Sequence, residues 1–404
     1  MMRLWILLCC AVPSAIAFGC AGPRSEQPPH VTKHLSKELP APNYPRTERD
    51  AATALTIRSA KDATEPVKNR PLNVLVLSAG GQYTAFAAGI LHGWRDLGTR
   101  PDFDVYTGVS GGALAAVVLF AGPDYDPLLT RLFTETKTSD LIRSRPVIGL
   151  IRTQSVASAE PMRKKIETVI DADFIAAMRK SHAAGKRCFV ATSNQNSRRL
   201  VVWDLGAIAS LDRPDAPDML RKILLATAAF PGVLPAVEID VTIDGKRYQE
   251  YHVDGGTCTE AFIRLGENHP RPDPSDPSAK WLAGSNLYVI GNGKLYADTL
   301  EDRTPGALTR ARSAASVLLA SMYRLDLWKM YTLCHASGMK FQHCALPADV
   351  PIPSSALEFD PPSMRRMYTL GYDLVKCGEL WRTTPPGFND DEEELPRGGF
   401  DFVK

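Results

Sequence analysis

From Asn73 to Leu77 the chain runs Asn-Val-Leu-Val-Leu, a short continuous apolar stretch without alternation. That pattern predicts a strand buried on both faces, as in a parallel sheet. Gly80-Gly81 follows. Apolar residues then recur at helical spacing (Phe86, Ile90, Leu91, Trp94, Leu97) until Gly98, which predicts a helix over 83–97. A second short strand is expected at 103–107, and Gly111-Gly112 opens an apolar helix over 113–121. Strand, glycine turn and helix, repeated, are the beat of an α/β fold.

Farther on, an amphipathic helix is expected over 161–180, strands at 188–192 and 200–203, and a helix over 218–228 stopped by Pro231-Gly232. Strands 237–243 and 247–253 flank Asp244-Gly245, a hairpin signal. A buried strand is read at 287–290, and helices over 308–334 and 363–377. Apolar positions in the first of these helices suit core packing, with the lining of an apolar pocket as the alternative. Residues 266–278 hold Pro270, Pro272, Pro274 and Pro277 and must be loop.

The front of the chain follows another pattern. Arg3 is the one charge before Gly19, and an apolar run leads to Phe18. It is a signal-peptide pattern, too short for a comfortable membrane span. Ala15-Ile16-Ala17 offers ordinary signal cleavage; Ala17-Phe18-Gly19-Cys20 resembles a bacterial lipobox, with lipidation of Cys20. Ala17 and Phe18 depart from the usual lipobox residues. The following stretch is rich in Pro, Ser, Lys and Glu and reads as a flexible tether. The expected organisation is a signal peptide at 1–19, a tether at 20–70, one catalytic body at 71–386 and a tail at 387–404. The expected place is exported: lipid-anchored at a bacterial outer membrane, since Ala21 is not Asp, or otherwise periplasmic or secreted.

Composition removes other classes. Among 404 residues, Lys+Arg 47 against Asp+Glu 45 leaves a net charge of +2, which argues against a nucleic-acid partner. Of the eight cysteines, five remain after signal removal and lipidation. Cys334 and Cys344 either bridge or stay as buried thiols. No C-x-x-C spacing occurs, so a structural zinc is not expected; no other metal site emerges from the sequence, and no cofactor is expected.

Three places carry chemistry. Gly108-Val109-Ser110-Gly111-Gly112 matches G-x-S-x-G between a strand and a helix, the setting of a nucleophile elbow. There the helix N-terminus brings positive dipole and free amides beside the serine. Ser78-Ala79-Gly80-Gly81-Gln82 follows the first strand and can aim amides at an anion; its spacing is wrong for dinucleotide binding. Asp254-Gly255-Gly256 ends a strand, where an aspartate can reach a nucleophile on a neighbour.

With Ala226-Thr227-Ala228-Ala229-Phe230-Pro231-Gly232 as a further block, these motifs stand in the order found in the patatin-like phospholipases, serine–aspartate acyl hydrolases. The chain resembles that family firmly over 71–257 and more loosely to about residue 386. The resemblance implies a patatin-like three-layer sandwich, with a mostly parallel central sheet flanked by helices on both faces. It implies Ser110 as nucleophile, Asp254 as its base, and an oxyanion hole from Gly80, Gly81 and Gly111. The implied substrate is a lipid or phospholipid ester, met at a membrane through the lipid anchor. Tyr83 stands where the family has a basic residue and Thr84 where it has glycine. A threonine tolerates a left-handed backbone poorly, so the loop is expected to differ there. Two rivals remain: a Ser-His-Asp esterase using His252, His269, His335 or His343, and a non-catalytic lipid-binding lipoprotein.

Overall fold

The computed structural model describes residues 46–49, 70–144, 155–243, 246–265, 276, 278, 280–298, 306–378 and 380–388. Its centre is the run Asn73–Leu77 (β2), whose last four residues are fully buried. Val105–Val109 (β3) and Arg187–Asn194 (β6) add on one side, Asn286–Lys294 (β10) and Lys340–Leu346 (β11) on the other, all parallel. Antiparallel strands extend the β6 side: Arg199–Asp204 (β7), then Arg46–Arg49 (β1). A hairpin of Val237–Ile243 (β8) and Lys246–Asp254 (β9) joins β6 through β9. A separate two-stranded ribbon pairs Arg143–Ser144 (β4) with Ala157–Ser158 (β5).

Alternation along the strands divides the core into two layers. Leu75 and Leu77 point into one cluster, Val74 and Val76 into the other. The first layer is covered by Thr84–Asp96 (α1), Gly111–Ala121 (α2), Asp126–Leu132 (α3), Glu160–Val169 (α4), Ala172–Ala183 (α5), Leu205–Ala209 (α6), Ala216–Thr227 (α7) and Pro361–Cys377 (α9). The second is covered by Ala307–Ser337 (α8), through Tyr323, Leu327, Met330 and Cys334. This is the expected α/β sandwich with helices on both faces.

Several elements depart from expectation for identifiable reasons. The helix expected over 161–180 is two helices, because Ile170 leaves helical geometry and Asp171 caps the second by accepting from the Phe174 amide at 2.8 Å. Polar Gln342 and His343 hide β11 from a hydrophobic scan, yet His343 is buried, its Nε2 donating to Thr384 O at 2.8 Å. Residues 46–49, expected to be tether, form a strand instead. No apolar pattern marks them. They are held by backbone pairing to β7, by a bidentate Arg46–Glu250 ion pair and by Arg46 lying over the Trp203 ring. Cys334 and Cys344 are buried free thiols, not a bridge. The expected signal peptide, Cys20 and the tail beyond Phe388 lie outside the described residues. Among the described residues, no helix is long and apolar enough to cross a membrane.

The closest helix contact joins α1 and α9. A Cβ on Gly89 would lie 1.9 Å from the Tyr368 carbonyl oxygen, and one on Gly371 2.3 Å from that of Phe86. Both contacts are with backbone, which cannot swing aside. Gly89→Val should therefore separate the two helices and cost at least the ~1–3 kcal/mol of an overpacked core. Chemical denaturation of the folded variant checks this; an unchanged midpoint would show that the helices part freely.

Candidate functional site

The site forms where two strands meet end to end along one flank of β6. On that flank β3 pairs up to Val109↔Ala191, and the next β6 residue, Thr192, pairs with Asp254 of β9. β3 and β9 run in opposite directions, so the end of one faces the end of the other. β3 extends to Val109, two residues past its expected end, and Ser110 follows directly. Ser110 has φ 53 and ψ −126, a strained backbone for a non-glycine residue. The flanking glycines permit the turn: a Cβ on Gly112 would sit 2.3 Å from the Ser78 carbonyl oxygen, and one on Gly108 2.6 Å from that of Gly112.

The Ser110 hydroxyl donates to Asp254 Oδ2 at 2.6 Å, and the Gly256 amide donates to Asp254 Oδ1 at 2.8 Å. Asp254 is 3% exposed, and burial pushes its carboxyl up to about 6 against the opposing pull of those two hydrogen bonds. Thr227, within the small-residue block, fixes the elbow from below. Its hydroxyl donates to Ala191 O at 2.7 Å and accepts from the Ser110 amide at 3.0 Å. With the Ser110 amide so engaged, the amides of Gly111 and Gly112 in the same turn donate to no described residue.

Gly81 and Gly111 line the pocket beside Ser110, while Gly80 packs against Asn292. An ideal Cβ on Gly111 would lie 3.0 Å from the Gly81 nitrogen. None of the three amides donates to another described residue. Asn292, fully buried, holds the loop: its amide donates to Ser78 Oγ at 2.8 Å and its Nδ2 to Ser78 O at 2.6 Å. Thr84 has φ −59, ordinary helical backbone, so the left-handed conformation expected to trouble a threonine is not needed there; Gly81 takes the positive φ of 51. Tyr83 donates to Pro353 O, and burial pushes its phenol up to about 12.

No histidine touches the pair among the described residues. His252 makes a buried structural bridge, Nδ1 to Thr192 Oγ1 at 2.9 Å and Nε2 to Glu250 Oε2 at 3.0 Å. His343 contacts Thr384, and His335 lies on the outer side of α8. His269 lies outside the described residues. Nor does any group of three or more His, Cys, Asp or Glu among them form a metal site.

Two acids were not singled out from sequence. Asp326 of α8 accepts through Oδ2 from Thr259 Oγ1 at 2.8 Å and from the Glu260 and Ala261 amides at 2.9 and 3.3 Å. Glu260 O in turn accepts from the Ala79 amide at 2.9 Å, so the segment after Asp254 is tied both to α8 and to the glycine loop. The Glu260 carboxyl is pushed well up by burial and by its Asp254 and Asp326 neighbours. No local sequence signal marks either, since the contacts join residues 65 or more positions apart.

An apolar pocket opens at Ser110, with an empty volume of about 1020 Å³ counting its mouth. Its walls come from α2 (Leu114, Val117, Val118), α4 (Met162, Ile166) and the turn after α7 (Phe230, Val233), with Gly81 and Gly111 at the serine end. α8 covers the opposite core layer and does not line it.

The fold is thus an α/β sandwich with a buried serine–aspartate pair at a strand–turn–helix elbow. Residues 75–270 match the family model of the patatin-like phospholipases, and the fold is patatin-like. No curated protein matches the chain. Among solved structures, VipD from Legionella pneumophila is similar at 12% identity and a TM-score of 0.39, over 81% of this chain and 73% of that one. The type III effector protein ExoU is similar at 12% identity and a TM-score of 0.29, over 76% of this chain and 54% of that one. A structure of ExoU with SpcU from Pseudomonas aeruginosa gives 12% identity and a TM-score of 0.23, over 88% and 62%.

The raised Asp254 carboxyl has a cost in stability. Its folded value of about 6 lies above the ordinary 3.8, so folding favours the protonated form, and stability is lost as pH rises from about 4 through 6. Two units correspond to about 3 kcal/mol at most. Asp254→Asn keeps the acceptor for Gly256 and removes the charge. It should melt like the wild type near pH 4 and higher above pH 7, in parallel thermal melts; an equal gap at both pH values would contradict the buried charge.

Proposed function

We propose that the protein is a serine acyl hydrolase acting on lipid esters, of the phospholipase A or lipid acyl hydrolase type, through a Ser110–Asp254 dyad. The observation that carries this reading is the 2.6 Å hydrogen bond from Ser110 Oγ to a buried Asp254 at the mouth of an apolar pocket. The patatin-like domain match over both residues supports it.

The reaction has two halves. As Ser110 Oγ attacks the ester carbonyl carbon, its proton passes to Asp254 Oδ2. The oxyanion that forms is met by the amides of Gly80, Gly81 and Gly111, aided by the N-terminal dipole of α2. Collapse breaks the bond to the alcohol oxygen, which leaves with the proton from Asp254, and the acyl group stays on Ser110. Water then gives its proton to Asp254 and attacks the acyl carbon; Ser110 takes that proton back as the carboxylic acid departs. Burial makes Asp254 a stronger base than an exposed aspartate, which suits it to act without a histidine. The acyl chain lies in the pocket, excluded from water.

The protein's place belongs to the same proposal. The lipobox-like Ala17-Phe18-Gly19-Cys20 and the polar stretch after it support export and anchoring through a lipid on Cys20. Cys20→Ala should then release the protein from the membrane fraction and abolish labelling by a radioactive fatty acid; retention of both in the variant would overturn the anchor.

For the chemistry, a fluorophosphonate should label Ser110 in the folded protein and leave Ser110→Ala unlabelled. Asp254→Asn should lower kcat/KM on a long-chain ester by about a thousandfold or more, since the serine proton then has no acceptor. Because Asp254 acts as a base only when ionised, kcat/KM should fall as pH drops through about 6. A folded protein with no Ser110 adduct and no turnover would favour the non-catalytic reading. Loss of turnover on replacing His252, His335 or His343 while Asp254→Asn stays active would favour the triad.

A further inference from the structure

The pocket wall contains one residue that its chemistry does not call for. α4 presents Met162, Ile166 and Val169 to the pocket, the i, i+4, i+7 stripe of an amphipathic helix. Lys165 lies on that same stripe and lines the pocket with them. It is the only charged residue lining the pocket among the described residues. The cations beside it in sequence behave differently: Arg163 and Lys164 face solvent and pair with Glu160 on the outer side of the helix.

Lys165 has no such partner. Its Nζ donates to Thr136 Oγ1 at 2.7 Å, and Thr136 is itself a buried pocket residue. No carboxylate closes an ion pair with it among the described residues; Asp140 and Glu135 act on it from farther away. Burial weakens the charged form of this ammonium, and those two acids oppose the effect. An ammonium has three donors, and the described contacts use one. A cation held in an apolar wall is a net cost in the empty protein. A ligand that brings an anionic oxygen removes that cost, whereas a plain hydrocarbon chain does not.

We propose that Lys165 determines the specificity of this pocket by binding an anionic oxygen group, phosphate or carboxylate, carried by the lipid. The inference rests on the acyl hydrolase reading for the ester, and on the pocket alone for the binding. The anionic group has two sources. A headgroup phosphate reaches Lys165 when the headgroup enters this wall; a carboxylate reaches it when it terminates the acyl chain.

The test compares four substrates in two pairs: a monoacylglycerol with a monoacyl glycerophosphate, and a dodecanoyl p-nitrophenyl ester with the same ester bearing a terminal carboxylate. In Lys165→Met, the anionic-to-neutral ratio of kcat/KM should fall about tenfold or more in one pair, chiefly through KM, and Lys165→Arg should restore most of it. A fall in the first pair assigns the phosphate, and in the second the chain-borne carboxylate. A binding arm uses the Ser110→Ala protein with dodecyl phosphate, dodecanoate and dodecanol, measured by calorimetry with and without Lys165→Met. There the preference for an anion over dodecanol should shrink by a similar factor. If the wild type hydrolyses none of the four substrates while Ser110→Ala still prefers an anion through Lys165, the hydrolase reading falls and the binding site stands. If hydrolysis is efficient and Lys165→Met leaves both ratios and the binding preference unchanged in a folded protein, the site is overturned and the hydrolase reading stands.

Discussion

The structure depends on two strands sharing one flank of β6. β3 occupies the first part of that flank and β9 the last three positions, with Asp254 opposite Thr192 directly after the Val109–Ala191 pair. Neither strand could run on without displacing the other. β3 must turn away, which strains Ser110, and β9 must stop, which leaves Asp254 facing that turn. The hydrogen bond between them follows from the sheet's geometry and needs no further arrangement of loops.

Everything near the pair reinforces that meeting point. Thr227 binds the elbow to β6, Asn292 binds the glycine loop to β10, and Asp326 binds the segment after Asp254 to α8. Three layers of the sandwich thus hold one constellation. Among the described residues, the buried Thr84 Oγ1 and Asn292 Oδ1 have no partner, and the amides of Gly80, Gly81 and Gly111 donate to none. Under the proposed mechanism, the buried Asp254 carboxylate and the unpaired amides become favourable when an acyl carbon turns tetrahedral at Ser110.

Much of this was legible in the sequence because short-range physics writes it there. The apolar run at Asn73–Leu77, the glycines around Ser110 and the Asp-Gly-Gly after β9 each carry a local requirement of backbone or burial. What escaped is non-local. β11 hides its burial behind Gln342 and His343, and Asp326 and Asn292 look like any acid and amide until the fold sets them beside backbone groups far away in the chain. The break at Ile170–Asp171 shows the same limit, since the hydrophobic period continues across it and only the Asp171 cap reveals it. Residues 46–49 carry no apolar pattern at all; their place is set by Trp203 and Glu250, which the sequence puts more than 150 residues away.

One consequence lies in the distance along the chain between the paired residues. Ser110 and Asp254 are 144 positions apart, and the hairpin that brings Asp254 holds the main sheet through three residue pairs. The part of the chain that forms β2, β3 and their helices carries Ser110 but not Asp254, so under the proposed mechanism it lacks the proton acceptor. Under that mechanism, competence depends on the β8–β9 hairpin being in place, and three residue pairs hold that hairpin to the main sheet.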